Sequence, residues 1–274
     1  MKTWLITGAS SGLGLEMTRI LLARGDRVVA CARRVAPLAE LQARHGERLR
    51  VAQFDLTDTA ALRREVDAAF AAFARIDVVV SNAGYGLFGA AEEVSDAQIE
   101  RQLSTNLTAS IQLVRAVLPH LRAQGGGRLL QVSSEGGQAA YPNFSLYHAS
   151  KWGIEGFLEA VAQEVAPFGI EVLIAEPGPT ETGFGTGLDQ APPMAVYDDT
   201  PAGQVRRGIA DGSFAIKGAA VRTAAAMIQA ADADTMPRRL ALGSTAFDNI
   251  QRVLQARLEE LQSQRAVAYA ADKV

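Results

Sequence analysis

Tyr147 and Lys151 stand four residues apart in the run Tyr-His-Ala-Ser-Lys, and Ser134 lies 13 positions before Tyr147. On a helix, that four-residue spacing puts the phenol and the ammonium on one face. A free phenol titrates near pH 10, too high for easy proton transfer around neutrality. An ammonium beside it favours the phenolate and is expected to lower that value. The chemistry this set could do is general acid/base catalysis at a substrate oxygen. Tyr147 would exchange the proton, Lys151 would tune it, and Ser134 would hold the oxygen at the phenol. Asn106 could hold a water that relays protons to Lys151. Tyr-x-x-x-Lys alone is weak, since average residue usage gives a chain this long one copy by chance about half the time. A second copy, Tyr269 to Lys273, does occur; it has Ala256 where the serine should be and is taken as a decoy.

Far upstream, Thr7-Gly8-Ala9-Ser10-Ser11-Gly12-Leu13-Gly14 follows the first apolar run. Glycines between a strand and a helix let backbone N–H groups approach phosphate oxygens, and the helix N-terminus adds partial positive charge. The spacing is Gly-x-x-x-Gly-x-Gly rather than Gly-x-Gly-x-x-Gly. Such a turn could hold a dinucleotide pyrophosphate. At the end of the second strand, a carboxylate would select NAD by accepting from the ribose hydroxyls. The run Ala30-Cys31-Ala32-Arg33-Arg34 has none. Arg33 could instead pair with a 2′-phosphate, which favours NADP; if both arginines are merely solvated, NAD is the alternative. Asp55, with Leu56 beside it, follows the third strand and could accept from the adenine amino group. Asn82-Ala83-Gly84 follows the fourth and lets the backbone pass close beneath the adenosine.

These residues need elements that bring them together. Short runs within 4–6, 27–31, 49–52, 78–80, 129–132, 171–175 and 239–242 are apolar on both faces and read as buried parallel strands. Helical periodicity marks 15–23, 36–44, 59–74, 96–122, 147–166 and 246–264. The expectation is an α/β fold: one doubly wound Rossmann-type domain over residues 1–274, its seven-stranded, mainly parallel sheet covered by helices on both faces. Residues 178–200, rich in Gly and Pro, form a loop longer than most and a candidate substrate lid. The tail 265–274 should be poorly ordered or pack on a neighbouring subunit.

Composition narrows the class. The 274 residues are 48% hydrophobic and 21% charged, with a net charge of −3, which gives no support for a nucleic-acid partner. One cysteine excludes an intrachain disulfide, and three scattered histidines suggest no metal site. No apolar run reaches membrane-spanning length, and the first strand begins too early for a signal peptide, so the expected location is cytoplasmic.

Taken jointly, Thr7 to Gly14, Asp55, Asn82-Ala83-Gly84, Asn106, Ser134, Tyr147-x-x-x-Lys151 and Pro177-Gly178 resemble the classical short-chain dehydrogenase/reductase family over about residues 3–182. The resemblance implies that Asn106, Ser134, Tyr147 and Lys151 form a catalytic tetrad, with Lys151 also binding the nicotinamide ribose. It implies that Pro177-Gly178 shapes the nicotinamide pocket and Thr182 binds the carboxamide. Two positions depart: Ser81 precedes Asn82-Ala83-Gly84 where asparagine is common, and Thr180 stands where Val or Ile is usual, with binding there largely through backbone.

The expected activity is an NADP(H)-dependent oxidoreductase interconverting an alcohol and a ketone or aldehyde. The alternatives are an NAD-dependent alcohol dehydrogenase and an NADP sensor without turnover. Tyr85, Phe88, Tyr141, Phe144 and Phe184 could line an apolar pocket for a medium or bulky carbonyl substrate. His148 points about 100° away from Tyr147, which suits a core or interface residue. Glu176 suits a structural hydrogen-bonding role. The helix after Tyr147 is apolar around much of its circumference, and with the resemblance this predicts a homodimer or homotetramer.

Overall fold

The apolar runs pair as expected. In a computed structural model that describes residues 1–213 and 215–272, seven strands form one sheet. They are β1 (Thr3–Thr7), β2 (Arg27–Ala32), β3 (Leu49–Gln53), β4 (Val78–Ser81), β5 (Gly127–Val132), β6 (Ile170–Pro177) and β7 (Arg239–Leu242). Their order is β7-β6-β5-β4-β1-β2-β3, and every neighbouring pair is parallel. The direction of winding reverses between β1 and β4, which is where such sheets open a crevice at the carboxyl ends of their strands.

Strand periodicity decides which side each residue serves. Leu5 and Val79 fall in one apolar layer, Trp4, Ile6, Val78 and Val80 in the other. The first layer is closed by α3 (Thr59–Ala72), α5 (Ala109–Ala123) and α6 (Ser145–Val165), through Leu62, Val66, Leu113, Val117, Ile154 and Leu158. The second is closed by α1 (Gly12–Ala23) and α8 (Ala220–Asp232), through Met17, Leu21, Leu22, Met227 and Ile228. This is the doubly wound α/β architecture that the sequence predicts. The remaining helices are α2 (Ala39–His45), α4 (Asp96–Leu103), α7 (Pro201–Ala210), α9 (Ser244–Ser263) and α10 (Arg265–Ala270).

Two expectations need correction. The helix expected over 96–122 is two helices joined by a π-turn at Ser104–Thr108. Ser104, Thr105 and Thr108 hold a helix weakly, and the wide turn absorbs an extra residue where Asn106 faces inward, 2% exposed. Periodicity marks no helix between 200 and 239, yet α7 and α8 lie there. The first is set by its Thr200 cap and Pro201; the second buries Thr223, Ala224, Met227, Ile228 and Ala231 along one face. The tail forms the exposed helix α10, which carries Tyr269; Lys273 and Val274 lie outside the described residues. Among the described residues no helix is long and apolar enough to cross a membrane.

Candidate active site

The glycine turn sits where β1 ends and α1 begins. Ser11 is the N-terminal cap residue of α1, and its side chain makes no capping bond. The first N–H groups of a twelve-residue helix therefore have no side-chain partner and meet the crevice. Gly12 has φ +51°, a left-handed conformation that disfavours side chains, and a Cβ there would meet only Thr182, 3.7 Å away. Gly14 is required for a different reason: a Cβ would overlap the Gly8 carbonyl oxygen and the Asn82 amide. Asn82 locks this arrangement, donating to the Thr7 and Gly8 carbonyl oxygens at 2.9 and 3.3 Å. The Thr7 hydroxyl accepts from the Asn82 and Ala83 N–H groups at 3.0 and 3.2 Å. An uncapped helix start beside a side-chain-free turn fits a dinucleotide pyrophosphate, with Gly8, Ser10, Ser11, Gly12, Leu13 and Gly14 around it.

Arg33 lies just past β2, its side chain 72% exposed and 3.9 Å from the Asp55 carboxylate. Asp55 is held by the Thr57 N–H and hydroxyl, and those bonds, with Arg33, keep its carboxyl below the usual range. Leu56 is buried in the core layer. Gly84 lies against the Asn106 amide, whose oxygen accepts from the Tyr85 N–H at 3.1 Å and whose nitrogen donates to the Tyr85 carbonyl at 2.8 Å. Asn106 therefore fixes the loop that follows β4.

Across the crevice, α6 carries Tyr147 and Lys151, both buried. The ammonium is 5.6 Å from the centre of the Tyr147 ring and donates to the Val132 carbonyl at 3.0 Å. Ser134 follows β5 in extended conformation, and its hydroxyl accepts from the Gly136 N–H at 3.0 Å. It is also near enough to the Tyr147 hydroxyl to favour the phenolate. The Tyr147 pKa runs opposite to expectation. Burial pushes it up to about 12, aided by the Glu135 and Glu155 carboxylates, while the Ser134 hydroxyl pulls the other way. Burial also pushes Lys151 down to about 8, against the upward pull of Glu155. Desolvation thus dominates the phenol in the chain alone.

Pro177 ends β6, and the Gly178 N–H donates to the Leu242 carbonyl at 3.0 Å. Thr180 donates to the Gly178 carbonyl at 2.8 Å, and the Thr182 hydroxyl accepts from the Phe184 N–H at 3.2 Å. The loop 178–200 is fastened rather than free. Asp189 pairs with Arg101 and accepts from Gln98, while the buried Glu93 binds Arg206 at 2.7 Å and the Met194 N–H at 2.7 Å. Phe184 projects from this loop onto the Tyr147 ring, their centres 5.5 Å apart.

A family model for the short chain dehydrogenase matches residues 2–192. The chain belongs to the short-chain dehydrogenase family. It is an oxidoreductase of that NAD(P)-dependent group. It is 39% identical over 195 residues to the oxidoreductase BOA17 of Botryotinia fuckeliana, covering 71% of each chain. It is 35% identical over 180 residues to a 3-ketodihydrosphingosine reductase of Bacteroides thetaiotaomicron, covering 66% of this chain and 64% of that one. The crystal structure of a short-chain dehydrogenase from Streptomyces avermitilis superposes with a TM-score of 0.91 at 35% identity, covering 99% of this chain and 100% of that one.

Within this short-chain dehydrogenase, the crevice gathers the residues predicted at the strand ends, but not all of the predicted aromatics. Phe144 reaches Tyr147, with ring centres 6.2 Å apart, and Phe88 packs on Phe144 at 5.1 Å. Tyr141 points instead toward α9, its hydroxyl accepting from Asn249 at 2.9 Å. His148 is a core residue. Its Nε2 accepts from the Tyr141 N–H at 2.9 Å, so Nδ1 carries the proton and donates to the Gly136 carbonyl at 2.8 Å. Burial holds it neutral. Periodicity does not point to Glu155 or Arg239, which meet on the far side of Lys151 with Glu176; Arg239 opens a predicted strand and Glu155 lies within a predicted helix. A glutamate on a helix face otherwise lined by core residues is the one signal that could have marked it.

Proposed function

We propose that the chain is an NADP(H)-dependent carbonyl reductase, with Tyr147 as the general acid. The observation that carries this is the buried Tyr147, beside Ser134 and sharing a helix face with Lys151, across the crevice from the uncapped start of α1. The reduced nicotinamide, when bound, supplies the hydride to the carbonyl carbon. The chain's own residues handle the oxygen. Ser134 orients it, and Tyr147 gives it a proton as the carbon accepts the hydride. Lys151 holds the nicotinamide ribose and offsets charge on the phenolate that remains. Asn106, with one amide hydrogen still unused, supports a water that returns a proton toward Lys151. A phenol pushed up to about 12 stands protonated at neutral pH, which suits the reductive direction.

Arg33 supports NADP over NAD, with Asp55 and Leu56 at the adenine and Asn82, Ala83 and Gly84 beneath the adenosine. Pro177, Gly178, Thr180 and Thr182 would frame the nicotinamide carboxamide. Phe144 and Phe184, flanking Tyr147, favour an apolar substrate, and one relative is named as the reductase of a 3-keto compound. We read residues 178–200 as the substrate loop, the whole chain as one working unit in the cytoplasm, and the protein as a homodimer or homotetramer. The outward face of α6 supports assembly: Ala149, Trp152, Gly153, Gly156 and Ala160 are all exposed.

The test is Tyr147→Phe, assayed by NADPH consumption over a panel of ketones and aldehydes. Turnover should fall by about 10²-fold or more, with NADPH affinity within a few-fold of wild type. Retained turnover would remove Tyr147 from the chemistry.

A further inference from the structure

One turn of α6 beyond Lys151, and two beyond Tyr147, Glu155 is buried at 2% exposure. Its Oε1 accepts from the Ser133 hydroxyl at 2.5 Å, and its Oε2 from Gln138 Nε2 at 2.6 Å and Arg239 Nη1 at 2.6 Å. The same guanidinium reaches Glu176 Oε1 at 2.5 Å and Glu159 Oε1 at 2.9 Å. Ser133 immediately precedes Ser134, and Gln138 follows the short 3-10 turn, Glu135–Gly137, that Ser134 caps. Gly137 in that turn has no room for a Cβ, which would overlap Glu155 Oε1. The carboxylate therefore grips the Ser134 turn from both ends and anchors it to the helix of Tyr147. A buried carboxylate is costly unless paired, and the arginine that pairs it comes from β7, at the far edge of the sheet.

We propose that Glu155 is a positioning residue of the catalytic set, clamping the Ser134 turn to α6 and supplying the negative charge that keeps Lys151 an ammonium at working pH. This rests on the reading of Tyr147 as the acid. Few charges compete for the role. Tyr147 faces Ser134 and Glu135 from the turn and Glu155 from its own helix, while Lys151 faces Glu155. Neighbouring His148 is neutral, and Asn106 and Phe184 carry no charge. Glu155 itself faces Arg239, Glu176 and Glu159. Because Glu155 raises the proton affinity of both Tyr147 and Lys151, its charge acts in one direction whichever group limits the rate at high pH.

That gives a test with a definite sign. In Glu155→Gln, the alkaline limb of kcat/KM for carbonyl reduction should move down by roughly one to two pH units. Glu155→Asp, which keeps the charge, should restore the limb, and Ser133→Ala should lower the rate without moving it. A Glu155→Gln profile lowered at every pH, with its limb unmoved, would reduce Glu155 to a structural part and overturn the proposal. If Glu155→Gln does not fold, Arg239→Lys keeps every charge and should lose rate without moving the limb; a moved limb would overturn the proposal. Should the wild type reduce no carbonyl, the Tyr147 reading fails by itself. Lys151 can still be titrated by pH-dependent acylation, read by mass spectrometry against Lys2. A midpoint equal in wild type and Glu155→Gln would refute the charge role, and a lower one in the variant would support it.

Discussion

Replacing Arg33 should separate the two nicotinamide cofactors. In the structure its guanidinium has one charged neighbour, Asp55, at 3.9 Å, and both side chains are largely in water. An exposed pair of that kind contributes about 0–1 kcal/mol, so it gives way readily to a better partner. A phosphate is one: a hydrogen bond to a charged group contributes about 1.5–3 kcal/mol. At 72% exposure the low end applies, about 1.5–2 kcal/mol, which is roughly 10–30-fold in Kd. Arg33→Ala should therefore weaken NADPH by that factor and leave NADH within about two-fold, since NADH lacks the 2′-phosphate. Arg33→Asp adds a like charge a few ångströms from the phosphate. In a watery site that is about 1 kcal/mol more, for a total near 10²-fold. Raising salt should shrink the wild-type preference, because the Debye length is about 10 Å at 0.1 M. The assay is titration with each cofactor, following nicotinamide fluorescence. Equal losses for NADPH and NADH, or no loss for either, would refute the assignment and favour NAD.

Lys151→Met should stabilise the fold at neutral pH while abolishing turnover. Burial depresses the lysine from 10.5 to about 8, so the native state binds fewer protons than the unfolded state between those values. The penalty is absent above pH 10.5 and grows to about 3 kcal/mol as pH falls through 8. Losing the bond to the Val132 carbonyl returns about 1 kcal/mol of it. The expected gain of about 2 kcal/mol, a few degrees in Tm, should vanish by pH 11 in calorimetry; an unstable variant at pH 7 would contradict it. For the assembly, light scattering should give a multiple of the 29.1 kDa chain mass at micromolar concentration, and Trp152→Glu, at an exposed indole on α6, should shift it toward the monomer. A monomeric wild type would rule the assembly out.

Sequence made the sheet legible because its strands are buried on both faces, so that unbroken runs such as Val78-Val79-Val80 stand out. It was less informative wherever an element is defined by something other than apolar contrast. Helix α8 buries the small residues Thr223, Ala224 and Ala231 beside Met227 and Ile228, and the π-turn at Asn106 depends on two helices that must each present a different side to the core. The loop 178–200 was legible as a long irregular segment, but its fastenings, Glu93 to Met194 and Arg101 to Asp189, join residues 101 and 88 positions apart. Nothing in the local sequence can announce such pairs.

The site divides along the same line. Glycine spacing and the Tyr147–Lys151 interval are local, and the structure places them as the sequence predicts. Their electrostatics are not local. The sign of the Tyr147 shift follows from burial of the phenol, to which Phe184 contributes from a loop 37 residues away. The lysine that should have lowered it is itself pushed toward neutrality by the same burial, and keeps its charge with help from Glu155. Glu155 in turn is paired by Arg239, 84 residues further on. On the proposed mechanism, a tyrosine that acts as an acid in one direction and a base in the other would gain from this arrangement. In the chain alone it rests as a phenol, and the oxidised nicotinamide would add a second positive charge that favours the phenolate. The protonation state of Tyr147 would then follow the redox state of the cofactor: protonated where the next step is reduction of a carbonyl, and ready to ionise where it is oxidation of an alcohol.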